Sequence, residues 1–71
     1  MYHINRDKNL LVVVAVELYA DKYKMPTSKA FAIFQQNGIS DLIRKHYGVL
    51  HTQPMEESFY FADDVLKRLE K

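Results

Sequence analysis

The stretch Leu10–Tyr23, LLVVVAVELYADKY, leaves a chain of this kind few options. It carries one charge, Glu17, before Asp21. Wound as a helix it is apolar on nearly every side. Leu11, Ala15 and Leu18 form one stripe, Val12, Val16, Tyr19 and Tyr23 a second, and Leu10, Val13 and Ala20 a third. A helix that is apolar all round has to be wrapped by other elements or by a partner chain. The run Val12–Val14 is β-branched and locally favours a strand. The pattern nevertheless continues through Glu17-Leu18-Tyr19-Ala20 without Gly or Pro, a length that suits a helix better.

Size decides how such a helix is covered. The 71 residues make one domain, expected to span 1–71. A chain this short buries only about 60% of its unfolded surface, so packing or pairing must supply its stability. Apolar residues make up 48%, enough for a core and too many for a disordered chain. There is no cysteine, so disulfides and thiolate metal sites are excluded, which fits a reducing, cytoplasmic setting. The net charge is +1 with acids and bases interspersed, without the basic patch of a strong nucleic-acid binder. The apolar run Leu10–Val16 falls far short of the roughly 20 residues that cross a bilayer. Arg6 and Lys8 precede that run, but Glu17 and Asp21 follow too soon for a signal peptide, so a mature, membrane-free chain is expected.

Punctuation divides the remainder. Asn5, Asp7 or Asn9 caps the first helix, and Met25-Pro26 ends it. Thr27 or Ser28 caps a second helix running to about Asn37, with Ala30, Phe31, Ile33 and Phe34 facing the core and Gln35 and Gln36 facing solvent. Asn37-Gly38 supplies a left-handed stop. Ser40 caps a third helix with Ile39, Leu42, Ile43 and Tyr47 inward; Asp41 begins it, Arg44, Lys45 and His46 suit the dipole at its end, and Gly48 closes it. Val49–Phe61 reads as irregular around Pro54, and a last helix covers roughly 62–70 on Ala62, Val65, Leu66 and Leu69. The expected fold is all-α: a small bundle of about four helices, the first one central, with an irregular loop before the last.

Catalytic patterns are thin. His46 and His51 are five apart across Gly48, not the i, i+4 pair of a zinc helix, and His3 lies near the N-terminus. Ser28 and Ser40 read as caps, and Ser58 has no base nearby in sequence. Glu56-Glu57 and Asp63-Asp64 read as solvated faces and helix-terminal charge. No metal, cofactor or enzymatic activity is expected; a small hydrolase or transferase using His51 is the least favoured reading. Glu17 marks either the solvent-facing edge of the first helix or a carboxylate held by His51, Thr52 or Gln53.

Two binding readings remain. Ala30–Tyr47 fits a DNA-binding helix-turn-helix in which Ser40, Asp41, Arg44 and Lys45 face the major groove, although Asp41 would repel phosphates. A protein-interaction module is favoured, because five Tyr and four Phe exceed what so small a core needs.

One motif is more specific. Tyr47-Gly-Val-Leu-His-Thr-Gln53 resembles the signature of the bacterial domain-of-unknown-function family 3791, a tyrosine and two residues followed by Leu-His-Thr-Gln. Glu17, Tyr19 and Ala20 match that family's acidic-x-Tyr-Ala helix end. Gly38-Ile39 matches its glycine turn and Tyr60–Leu69 its last helix, whereas Pro54 departs from the small or polar residue that follows its signature. The resemblance implies a small protein without assigned activity. Some members lie beside ADP-ribosyltransferase-like proteins, so the resemblance implies an antitoxin-like or partner role. Glu17, Tyr19, Tyr47, Leu50, His51, Thr52 and Gln53 are the candidate site residues, expected to hydrogen-bond and fix a loop for a protein partner or a second copy.

Overall fold

The computed structural model describes residues 2–69, with side chains from Lys8 onward. Five helices follow one another: α1 (Tyr2–Lys22), α2 (Thr27–Gln36), α3 (Ile39–Lys45), α4 (Tyr47–Leu50) and α5 (Glu56–Leu69), with no strand among the described residues. The all-α bundle is as expected, with α4 a single extra turn. The valine run is helical, because packing decides where local β preference is weak.

α1 is central and packs against α5, α2 and α3. It buries Leu11, Val12, Ala15, Val16, Tyr19 and Ala20, about half of its circumference. These meet Ala30 and Phe34 of α2, Ile39 and Ile43 of α3, Leu50 of α4, and Phe59, Ala62 and Leu66 of α5. The opposite crest is bare: Leu10 is 47% and Val13 48% exposed, with Glu17 and Asp21 following along it. The expectation of a helix wrapped on all sides is therefore corrected. Three neighbours cover one arc, and the Leu10–Val13 stripe is left to solvent.

The α1–α2 turn ends α1 with a left-handed residue. Lys24 has φ +56°, Met25 N–H donates to Ala20 C=O at 2.9 Å and Lys24 N–H to Asp21 C=O at 3.4 Å. This is the Schellman pattern, which satisfies the last carbonyls of a helix. The second turn uses Gly38 at φ +68°, as Asn37-Gly38 led one to expect.

Several boundaries differ from expectation. α1 already runs from Tyr2, so Asn5, Asp7 and Asn9 lie inside it rather than capping it. α2 starts after Pro26, whose fixed φ of −63° suits the position before a helix, with no side-chain cap from Thr27 or Ser28. α3 starts at Ile39 because the Gly38 carbonyl already accepts the Leu42 N–H at 3.1 Å. Ser40 thus falls one residue inside the helix and is buried. Phe31 sits about 100° from Ala30 on the wheel, which turns it out of the core to 44% exposure. Gly48 is inside α4, and the break falls at His46 instead. α5 begins at Glu56, not Ala62: Pro54 ends the loop, and Glu56 and Glu57 sit where the positive end of a helix favours acids.

Candidate functional site

α4 and the loop after it carry most of the candidate residues. Tyr47 and His51 are one helical turn apart, and their rings stack at 4.7 Å between centroids and 22° between planes. The Lys8 ammonium lies 5.8 Å from the Tyr47 centroid, within cation–π range. Leu50 points the other way and is buried in the core, anchoring the turn. The Thr52 hydroxyl donates to Val49 C=O at 2.7 Å, and Gln53 N–H donates to Leu50 C=O at 3.2 Å. These bonds close the C-terminal end of α4, so the motif fixes its own loop locally.

Tyr47, His51 and Gln53 line a groove of about 210 Å³ together with Leu10, Leu11 and Met55. Its walls come from α1, α4 and the segment before α5. The alcohol of Ser58 braces that segment: it is buried and within reach of Met55 C=O at 2.7 Å and Leu11 C=O at 3.2 Å. Ser58 is therefore a strut between α5 and α1.

Glu17 and Tyr19 lie elsewhere. Tyr19 is 7% exposed and packs edge-on to Phe34 at 5.4 Å and against Tyr23 at 4.6 Å. Glu17 is exposed on the α1 crest, at the rim of a second groove of about 350 Å³ lined by Val12, Val13, Val16, Thr27, Ser28 and Phe31. Its solvent-edge reading holds, and the alternative contact with His51, Thr52 or Gln53 is not formed among the described residues. The candidate set is thus split: Tyr47, His51, Thr52 and Gln53 are together, Leu50 sits beneath them, and Glu17 and Tyr19 are apart.

One cluster was missed. Asp63, expected on a solvated face, is 5% exposed. Its carboxylate accepts the Tyr23 hydroxyl at 2.6 Å and the Lys22 ammonium at 2.9 Å, and pairs with Lys67 at 3.3 Å. Burial pushes the Asp63 carboxyl upward, but the hydrogen bonds from Tyr23, Lys22 and Lys67 together outweigh it and hold the group below its usual value. The same bond raises Tyr23 and Lys22, since both donate to a negative charge. This clamp ties the C-terminal end of α1 to α5. Its sequence signal was present: Phe59, Ala62, Asp63 and Leu66 share one helical stripe, which puts position 63 on the inner face.

The helix-turn-helix placement changes with Ser40. It is buried, and Arg44 is engaged with Asn9 Oδ1 at 3.2 Å and Asp41 at 3.3 Å. Only Asp41, Arg44 and Lys45 of the expected recognition set reach the surface. No group of three metal-binding side chains occurs among the described residues, and none of their helices is long and apolar enough to cross a membrane. The His3 side chain lies outside the described residues.

No curated protein and no solved structure matches the sequence significantly. The family described as "Protein of unknown function (DUF3791)" matches residues 11–68. That span begins at Leu11, the first buried residue of α1 among those whose side chains are described, and ends in the last turn of α5, so the whole core described above is included. The chain belongs to the family DUF3791.

Proposed function

We propose that this protein is a non-catalytic interaction module that docks a partner protein in the groove between Tyr47, His51, Gln53, Leu10 and Met55. The observation that carries this reading is the convergence there of the motif residues with apolar side chains of α1. The lining is mixed, with Leu10, Leu11 and Met55 apolar and Tyr47, His51 and Gln53 carrying polar groups, the combination that protein interfaces use. The volume of about 210 Å³ lies under the roughly 300–1,000 Å³ of metabolite pockets, which favours an inserted partner side chain over a small molecule. Met55 is 39% exposed at its edge, an adaptable apolar contact. The resemblance read in the sequence names an ADP-ribosyltransferase-like protein as the candidate partner, in an antitoxin-like role within the cytoplasm.

The test is affinity capture from the native host with the wild type and with Met55→Glu and His51→Ala as bait. A protein retained by the wild type and lost with both variants supports the reading. A partner retained equally by all three baits overturns it. Salt-dependent retention on duplex DNA, carried out in parallel, would redirect the reading to the Asp41–Lys45 surface, because phosphate contacts dominate such affinity.

A further inference from the structure

The second groove lies on the other flank of α1, away from His51 and Gln53, and it has two unlike walls. The α1 wall presents Val13, 48% exposed, and the Glu17 carboxylate. The α2 wall presents Phe31, 44% exposed, and the N-terminal residues Thr27 and Ser28. That end of α2 lacks compensation: Pro26 offers no side-chain cap, and the first turn contains no acid. The helix is ten residues long, so its positive end carries partial charge that an acid would neutralise.

Each wall holds what the other lacks. A carboxylate and a valine stand on one side; a bare positive helix end with two hydroxyl donors and a protruding phenyl ring stand on the other. We infer that this groove is the interface of a homodimer, with a twofold axis running along the groove. Such an axis sets the α1 wall of one copy on the α2 wall of the other, since an isologous contact pairs a surface with itself. Glu17 of each copy then faces the N-terminal end of α2 in its partner, and Phe31 of each copy packs against Val13 and Val16 opposite. Among the described residues Glu17 is the one charged side chain lining the groove, so the contact covers few charges and sets each against the partly positive end of a helix. Its limited extent makes the dimer a weak one, with a dissociation constant in the micromolar to millimolar range.

Sedimentation velocity over a concentration series, up to about 1 mM, tests this. The wild type is expected to move from 8.4 kDa toward twice that mass as concentration rises. Phe31→Glu should weaken association at least about tenfold, and Glu17→Gln, which removes two symmetric contacts, about three- to thirtyfold. Met55→Glu, which alters only the other groove, should leave the dimer unchanged. Far-UV circular dichroism of each variant checks that the bundle is intact; Glu17→Gln, at an exposed position, keeps the test valid even where Phe31→Glu disturbs folding. Wild type at monomer mass throughout, or a dimer that survives both Phe31→Glu and Glu17→Gln, overturns the inference.

Discussion

Replacing Ser40 by Ala separates two accounts of the same residue by the sign of the effect. Read from the sequence, Ser40 caps a helix, and removing a cap costs about 1 kcal/mol. In the structure it is 4% exposed inside α3, and its hydroxyl has no hydrogen-bond partner among the described residues. A hydroxyl taken out of water and left unpaired costs about 1–3 kcal/mol, all of which Ala avoids. Ala is also the better helix former by about 0.5 kcal/mol, and loss of one oxygen leaves little void. The net expectation is a gain of about 1.5–3.5 kcal/mol. For a domain of this size each kcal/mol shifts the melting temperature by about 4–8 °C, so Ser40→Ala should melt at least about 6 °C higher. Urea denaturation should show a raised midpoint at constant slope, the mark of a change in stability and not in denatured-state compactness. A variant less stable than the wild type refutes the reasoning, because it would mean that the hydroxyl is satisfied, for instance through a buried water.

Asp63→Asn should destabilise the fold by about 1–2 kcal/mol near neutral pH, through loss of the charge that Tyr23, Lys22 and Lys67 converge on. Because the folded carboxyl lies below its ordinary value near 3.8, its stabilisation is full above that value and fades as pH falls through the lower, folded one. Urea midpoints of wild type and variant should therefore converge below about pH 3.8; a gap that stays constant into strong acid contradicts this. Gly38→Ala should cost about 1 kcal/mol, measured by the same melts. A Cβ there meets nothing within 4 Å, so the penalty is that of an L-residue held at φ +68° and nothing else.

Much of the fold was readable because its signals are local. The uninterrupted apolar run specified α1, and Gly38 specified the second turn. The stripe Ile39, Leu42, Ile43 located α3. Signals failed where one residue's offset changes its face. Ser40 resembles an N-cap, but the Gly38 carbonyl starts the helical bonding one residue earlier and rotates Ser40 inward. Phe31 was grouped with Ala30 and Phe34 by its hydrophobicity, while the helix puts it on the adjoining, open side. The start of α5 was obscured by Pro54 and by Ser58-Phe59-Tyr60-Phe61, where burial alternates between ring and ring: Phe59 is inside and Tyr60 is 55% exposed. Asp63 was discounted for its charge, although its spacing from Phe59, Ala62 and Leu66 puts it on the inner stripe. In the candidate site, the cluster from Tyr47 to Gln53 was legible as a contiguous motif. Its meeting with Leu10 and Met55 was not, since contacts between distant segments leave no periodicity to read.

The crest of α1 ties these points together. Folding the monomer does not require valine at position 13 or leucine at position 10, each nearly half exposed. At an exposed helical site Lys, Glu or Ala would raise helix propensity over Val, and a charged residue would raise solubility as well. A lone exposed apolar side chain needs no explanation. Leu10 and Val13, however, are not isolated: Leu10 forms a wall of the groove with Tyr47 and His51, and Val13 a wall of the groove with Phe31. The apolar surplus of this helix is therefore placed where two concave surfaces meet its edges, one on each flank. Because the two grooves share no lining residue, a charge at Met55 and a charge at Phe31 should act independently, the first on partner capture and the second on self-association.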